Sequence, residues 1–276
     1  ENFKVGGLAK YGLDYNSLST LNPRLIYCSI TGFGQNGPYA QRAGYDYIIQ
    51  GMSGLMSVTG EPGRQPQKVG VAVTDLFTGL SASTGLLAAV HQRHVTGKGQ
   101  HIDMSLLDVG TAMMTNQAMN YLVTDTPPAS MGNAHPNIVP YQVFDCANGH
   151  IIVASGNDGQ FRQFCSLLGQ PSLADDPDYA DNGARLENRA ALTALLTLQT
   201  RQWPKADLLT ACEAHGVPAG PINDMAETFA DPQVVHRAMR VDLDGIPSVR
   251  LPISFSDADI TPNKAAPKLG QDQDLL

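Results

Sequence analysis

The sequence predicts an α/β fold followed by a smaller α+β domain, and three features of its 276 residues carry that reading. Extended and helical patterns alternate through the first half, which points to a layered α/β arrangement. The texture changes after Thr126-Pro127-Pro128, and two apolar runs beyond it meet around Asn148-Gly149, a strong hairpin signal. The resulting division is 1–130 for a large domain, 131–225 for a small α+β domain, and 226–276 for a segment returning to the large domain.

The elements follow in order. Arg24 to Ile30 is a short, partly β-branched run of the kind that is buried on both faces of a parallel sheet, and a glycine-rich loop, Thr31 to Pro38, follows it. Ile48, Ile49, Met52, Leu55 and Met56 recur at helical spacing between Tyr45 and Met56. Val69 to Asp75 reads as extended, and a long Gly-, Ala- and Ser-rich helix then runs from Leu76 to Val95, with Gly97 as its C-cap. His101 to Ser105 is a second strand and feeds a helix from Leu106 to about Val123. In the second half, Tyr141 to Asp145 and His150 to Ser155 are the hairpin strands. Gly156-Asn157-Asp158-Gly159 opens a helix through Leu168, helices follow at about Asn188 to Thr200 and Lys205 to His215, and Ser248 to Ser254 is a strand before a polar, Pro-containing tail.

Composition excludes several function classes. A net charge of −8 argues against nucleic acid, whose phosphates call for clustered Lys and Arg. Cys28, Cys146, Cys165 and Cys212 are far apart without a C-x-x-C pair, which fits a reducing, cytoplasmic setting better than a disulfide framework or a zinc site. No uninterrupted apolar stretch approaches the roughly 18 residues of a bilayer span, so a soluble protein with no membrane partner is expected.

Several motifs fail on context. Gly32-x-Gly34-x-x-Gly37 matches a dinucleotide fingerprint formally, but Pro38 and Tyr39-Ala40-Gln41-Arg42 follow where a helix must begin. His91 and His94 lack a third ligand for a metal, and Gly51-Met52-Ser53-Gly54 does not complete a nucleophilic serine elbow. Asp75 is more informative, because it stands where an extended segment passes to a helix. Free amides and the positive helix end would favour its charge there, and Gly70, Ala72 and Gly79 leave room for a bulky ligand. On these grounds alone it is either a helix cap or a reactive carboxylate.

Taken together, the residues show a family likeness. The chain resembles the family III CoA-transferases, which include formyl-CoA transferase, the carnitine-associated CoA-transferases and α-methylacyl-CoA racemase. The likeness is carried along the whole chain by Glu1-Asn2-Phe3, Asn22-Pro23-Arg24-Leu25-Ile26-Tyr27, Thr31-Gly32-Phe33-Gly34, Gly44-Tyr45-Asp46-Tyr47, Ser53-Gly54-Leu55-Met56, Val73-Thr74-Asp75, Thr96-Gly97-Lys98-Gly99-Gln100 and His215-Gly216-Val217-Pro218.

The resemblance implies a Rossmann-like large domain, interlocked homodimers, coenzyme A as a substrate rather than a tightly bound cofactor, and no metal. It implies Asp75 as the nucleophile, passing through a mixed anhydride and an aspartyl-CoA thioester. Asn2, Phe3, Lys4 and Lys10 match the CoA-binding stretch, and Ala43, Gly44, Tyr45 and Asp46 match a segment lining the pantetheine and acyl region. Lys10 stands where some relatives have arginine. Backbone amides at Gly156, Asn157 and Asp158 match a loop that supplies oxyanion donors, and Met52 and Met56 are expected around the acyl pocket. Racemases of the family carry histidine where this chain has Tyr45, and a tyrosine, with an ordinary pKa near ~10, is a poor base at neutrality; transferase chemistry is therefore expected, with an acyl-CoA racemase or epimerase and a non-catalytic CoA-binding fragment as the alternatives. The resemblance also implies a nucleotide-binding half upstream of Glu1, so the large domain is expected to be incomplete at its N-terminus.

Overall fold

The computed structural model describes residues 1–260, 264–271 and 273, and forms two compact units, Glu1–Asn137 and the chain from Ile138 onward. The first unit runs α1 (Tyr15–Leu21), β1 (Tyr27–Thr31), α2 (Asp46–Met52), α3 (Leu55–Val58), α4 (Val73–Thr96), β2 (His101–Ser105), α5 (Leu106–Ala112) and α6 (Thr115–Thr124). The second runs β3 (Tyr141–Cys146), β4 (Gly149–Ala154), α7 (Asp158–Leu167), α8 (Asn182–Glu187), α9 (Arg189–Thr200), α10 (Lys205–Ala214), β5 (Ala219–Pro221), α11 (Met225–Ala230), α12 (Pro232–His236), β6 (Arg240–Leu243) and β7 (Ile246–Val249).

In the first unit β1 and β2 pair in parallel, Tyr27 opposite His101 and Thr31 opposite Ser105, with α4 as part of the crossover. This is the strand–helix–strand order expected, although β1 begins three residues later than Arg24 and only Ser29 on it is buried. The close seam between α4 and its neighbours is made of small residues. Thr74, Thr78, Ala82 and Ala89 are its buried positions, and a Cβ placed on Gly85 would stand 3.6 Å from the Ile102 side chain. Residues four apart fall on one helix face, so Thr74, Thr78 and Ala82 form a stripe that lets the helix lie close to the layer beneath.

Three sequence expectations are corrected here. Val69 to Ala72 forms no strand; α4 begins at Val73, and Gly97, at φ 76°, ends it as expected. The helix expected from Tyr45 to Met56 is broken by Gly54 at φ 87°, and that from Leu106 to Val123 by a turn at Met113–Met114 with Thr115 at φ 39°. A single periodic pattern cannot report such breaks when apolar residues continue on both sides.

The second unit holds the dry core. Every member of the main hydrophobic cluster lies in it, including Phe144, Ile151, Val153, Phe161, Phe164, Leu192, Leu196 and Leu208. Each such side chain contributes roughly 1.5–3 kcal/mol when fully buried. The predicted hairpin is present, with Cys146 opposite Gly149 and Gly149 at φ 143° making the turn that a side chain would resist. β5 adds to β4 antiparallel. The strand expected at Ser248–Ser254 is instead the end of a second hairpin, β6–β7, turned at Asp244-Gly245. Part of the polar tail lies outside the described residues.

Outward-facing apolar side chains are concentrated on α4, where Leu76, Leu80 and Leu87 are each more than 60% exposed. Among the described residues α4 is the one helix with the length and average hydropathy of a bilayer span. Its apolar residues are interrupted by Thr74, Asp75, Ser81, Ser83 and Thr84, so it holds no uninterrupted apolar run of bilayer length.

Candidate active site

The site is built around the first turn of α4. Ala72 is its N-cap and makes no side-chain cap bond, so the amides at the helix start need another acceptor. Asp46, in the first turn of α2, supplies it. Its Oδ1 accepts from the Thr74 backbone N–H at 2.9 Å and from the Thr74 hydroxyl at 2.7 Å, while its Oδ2 accepts from Gln50 Nε2 at 2.7 Å. Gln50, fully buried, reaches on to accept from the Val69 N–H at 2.9 Å, fastening the segment that leads into α4. Burial pushes the Asp46 carboxyl up, but the hydrogen bonds from Thr74 and Gln50 outweigh it and hold it below the usual carboxylate range.

This corrects the expectation that Asp75 stands at the cap. The cap is provided across the structure by Asp46, and Asp75 is the third residue of the helix. Its carboxylate has no hydrogen-bond or ion-pair partner among the described residues. Burial, and then the nearby Asp46 charge, push its pKa up, opposite to the direction expected from the helix end alone. A carboxylate that holds a proton more tightly is also the better nucleophile once ionised.

Asp75, Thr78 and Gly79 share one face of α4 and line a cavity of about 920 Å³. Its other walls are Glu1 to Val5, the end of β1 from Ile30 to Gly32, the segment Ala40 to Tyr45, and Leu106. Asn2, Phe3, Lys4, Ala43, Gly44 and Tyr45 therefore share this cavity with Asp75. Lys10 is not in this wall; it lies in a 3₁₀ turn, Ala9–Tyr11, with its ammonium 4.7 Å from the Tyr11 ring. Asp46, Met52 and Met56 are not in the wall either, and Asp46 is committed to Thr74 and Gln50.

The glycine loop after β1 shapes one wall. Gly32 and Gly44 meet backbone to backbone, where a Cβ on Gly32 would stand 2.4 Å from the Gly44 Cα. Asp103 accepts from the Gln35 N–H through both oxygens, at 3.2 and 3.0 Å, and the Thr31 hydroxyl accepts from the Gly34 N–H at 3.0 Å. No helix begins until Asp46, so the loop lacks the helix end that a dinucleotide site requires.

In the second unit, the turn at Gly156 is tied locally. The Gly156 N–H donates to Gln160 Oε1 at 2.8 Å, Asn157 Oδ1 caps α7 by accepting from the Gln160 N–H at 2.9 Å, and Asp158 Oδ1 accepts from the buried Arg185 at 2.6 Å. The Gly156 amide and the Asp158 carboxylate are thus already engaged here. All four cysteines are free; burial pushes Cys165 up to about 12 and Cys212 up to about 11, which keeps those thiols protonated and unreactive.

The model of CoA-transferase family III matches residues 1–273. The chain belongs to that family. The family III chain is 56% identical over 278 residues to succinate–glutarate CoA-transferase of Agrobacterium fabrum, covering 99% of this chain and 70% of that protein. It is 40% identical over 276 residues to succinyl-CoA:glutarate CoA-transferase of Mus musculus, spanning 98% of this chain but 63% of the mouse protein's length. It superposes on the crystal structure of a CAIB/BAIF family protein from Brucella suis with a TM-score of 0.87 at 56% identity, over 100% of this chain and 73% of that one.

Two residues of this family III site are not identified by sequence reasoning. Thr74 stands there only as part of a motif, although it is the residue that Asp46 grips. Arg42 stands there only as a polar residue that spoils a dinucleotide loop, although it lines the Asp75 cavity. A cation directly before Ala43–Asp46, the segment matched to the pocket, is the signal available.

Proposed function

We infer that this chain transfers coenzyme A between dicarboxylic acids, with Asp75 as the covalent relay. The observation that carries the reading is an unpartnered carboxylate of raised pKa, on the first turn of a helix whose start is capped by a different acid, opening on a cavity walled by Asn2–Lys4 and Ala43–Tyr45. The relatives' names, succinate–glutarate and succinyl-CoA:glutarate CoA-transferase, support dicarboxylic donor and acceptor acids.

The steps balance without an external reagent. An Asp75 oxygen attacks the donor thioester carbonyl, the C–S bond breaks, and the CoA thiolate leaves a mixed anhydride behind. The thiolate then attacks the Asp75 carbonyl carbon, expelling the donor acid as a carboxylate and leaving an aspartyl-CoA thioester. The acceptor carboxylate repeats these events in reverse, so the thioester's free energy is conserved. Gly79, with open space where a Cβ would stand, lets the acyl group pass close to the helix backbone. Tyr45, in the wall where racemase relatives carry histidine, favours transfer over proton exchange at the α-carbon. The interlocked homodimer, for which the apolar face of α4 offers a surface, and a cytoplasmic location, which four free cysteines suit, belong to this reading.

The test is to incubate the protein with succinyl-CoA and glutarate and follow glutaryl-CoA by mass. Hydroxylamine added during turnover should convert Asp75 to its hydroxamate, located by peptide mass spectrometry. Undiminished transfer by Asp75→Asn defeats the reading.

A further inference from the structure

Arg42 lies in the wall of the Asp75 cavity with its guanidinium over an aromatic ring. Phe33 and Tyr39 pack edge to face with ring centroids 5.5 Å apart, and the Arg42 guanidinium carbon sits 4.0 Å from the Tyr39 centroid, so the cation rests on a ring that is itself braced by a second one. The backbone beneath is equally constrained. The Arg42 N–H donates to the Tyr39 carbonyl at 2.8 Å, and the Gly32–Gly44 contact pins the segment two residues further on.

This cation makes no ion pair with a carboxylate among the described residues. The cavity wall contains two cationic side chains, Lys4 and Arg42, and two acidic ones, Glu1 and Asp75. Glu1 accepts from the Phe3 N–H at 2.8 Å but keeps its charge, so an incoming anion meets two carboxylates, Glu1 and Asp75. A dicarboxylic acyl group brings a second negative charge into that cavity, and an ionised Asp75 repels it unless a cation on the wall receives it. A guanidinium seated over an aromatic ring suits that role, because its planar fork binds a carboxylate through two parallel hydrogen bonds and loses little freedom in doing so.

We propose that Arg42 is the specificity-determining residue of the site, receiving the remote carboxylate of a dicarboxylic acyl-CoA while the thioester carbon faces Asp75. The assignment rests on the CoA-transferase reading above and deepens it. The two cations then have separate roles, with Arg42 serving the acyl end and Lys4, in the Asn2–Lys4 wall, serving the phosphates of CoA.

The experiment compares succinyl-CoA with butyryl-CoA, which matches it in chain length but lacks the remote carboxylate. Calorimetric titration on the wild-type protein, Arg42→Gln and Arg42→Lys gives six dissociation constants. Wild type should prefer succinyl-CoA, and Arg42→Gln should weaken succinyl-CoA by about tenfold to a hundredfold while changing butyryl-CoA far less. Arg42→Lys should fall between, keeping the charge without the fork. Equal weakening of both esters would place Arg42 on the CoA phosphates and overturn the assignment, as would a wild type without preference or an Arg42→Gln protein that retains it. A wild type that shows the Arg42-dependent preference but transfers no CoA to glutarate would remove the transferase reading and leave the succinyl contact standing.

Discussion

Asp46 grips Thr74 twice, accepting from its backbone N–H at 2.9 Å and its hydroxyl at 2.7 Å, and so holds the residue next to Asp75 without touching the Asp75 carboxylate by any hydrogen bond. The arrangement separates two roles that one carboxylate cannot fill well together. The capping acid is kept ionised and satisfied, and the reactive acid is left free, close enough to feel the charge of the first. It is a division of environments of the kind that lets paired carboxylates act differently.

Removing the proposed nucleophile should nearly abolish turnover and relieve a desolvated charge. Asp75→Asn is expected to lower kcat by about 10⁴-fold or more, since a lost covalent step is not replaced by its neighbours. The folded-state pKa of Asp75 is raised, so its contribution to stability is present below its unfolded pKa and is lost as pH rises through the folded value. The Asn variant should therefore unfold later than wild type at neutral pH, which denaturant melts would show.

Asp46 should shift the acid limb of the pH profile. Because Asp75 must be ionised to attack, kcat/KM should fall with acid around a pKa above the ordinary carboxylate range. Asp46→Asn removes a negative neighbour and should move that limb to lower pH, while burial keeps part of the displacement. The lowered pKa of Asp46 means that its stabilisation is present above its unfolded pKa and is lost as pH falls through the folded value. The Asn variant should accordingly lose about 2–3 kcal/mol at neutral pH, and less in acid.

Gly79 offers a test of the cavity that spares the fold. Nothing stands within 4 Å of a Cβ placed there, and glycine inside a helix costs about 1 kcal/mol relative to alanine. Gly79→Ala should raise stability by about that amount, whereas Gly79→Phe should fold and fail to bind succinyl-CoA. Thermal melts and titration read the two effects separately.

Gly32 is the opposite case. A Cβ there would stand 2.4 Å from the Gly44 Cα, and backbone cannot rotate aside as a side chain can. Gly32→Ala should displace Ala40 to Tyr45 and weaken binding of every CoA ester, whether or not the acyl group carries a second carboxylate.

Arg185 anchors the second unit. Its side chain is 1% exposed and donates to the Val139 and Tyr179 carbonyls at 2.7 and 2.9 Å and to Asp158 at 2.6 Å, with Phe161 4.5 Å beneath it. Arg185→Met leaves those acceptors unpaired and should cost about 3 kcal/mol or more, measured by urea unfolding.

The sequence alone determined the strand–helix–strand order around α4, the hairpin around Asn148-Gly149 and the C-cap at Gly97, and it singled out Asp75 as the candidate nucleophile. These are local matters: periodicity, turn residues and motif spacing are properties of consecutive residues. The tertiary structure decided who caps α4, which acids stay free, and that Arg42 shares a cavity with Asp75. Those outcomes depend on residues well separated in the chain meeting through hydrogen bonds and close backbone contact, as Asp46 meets Thr74 and Gly32 meets Gly44 across a loop, and no local pattern encodes which donor reaches which acceptor.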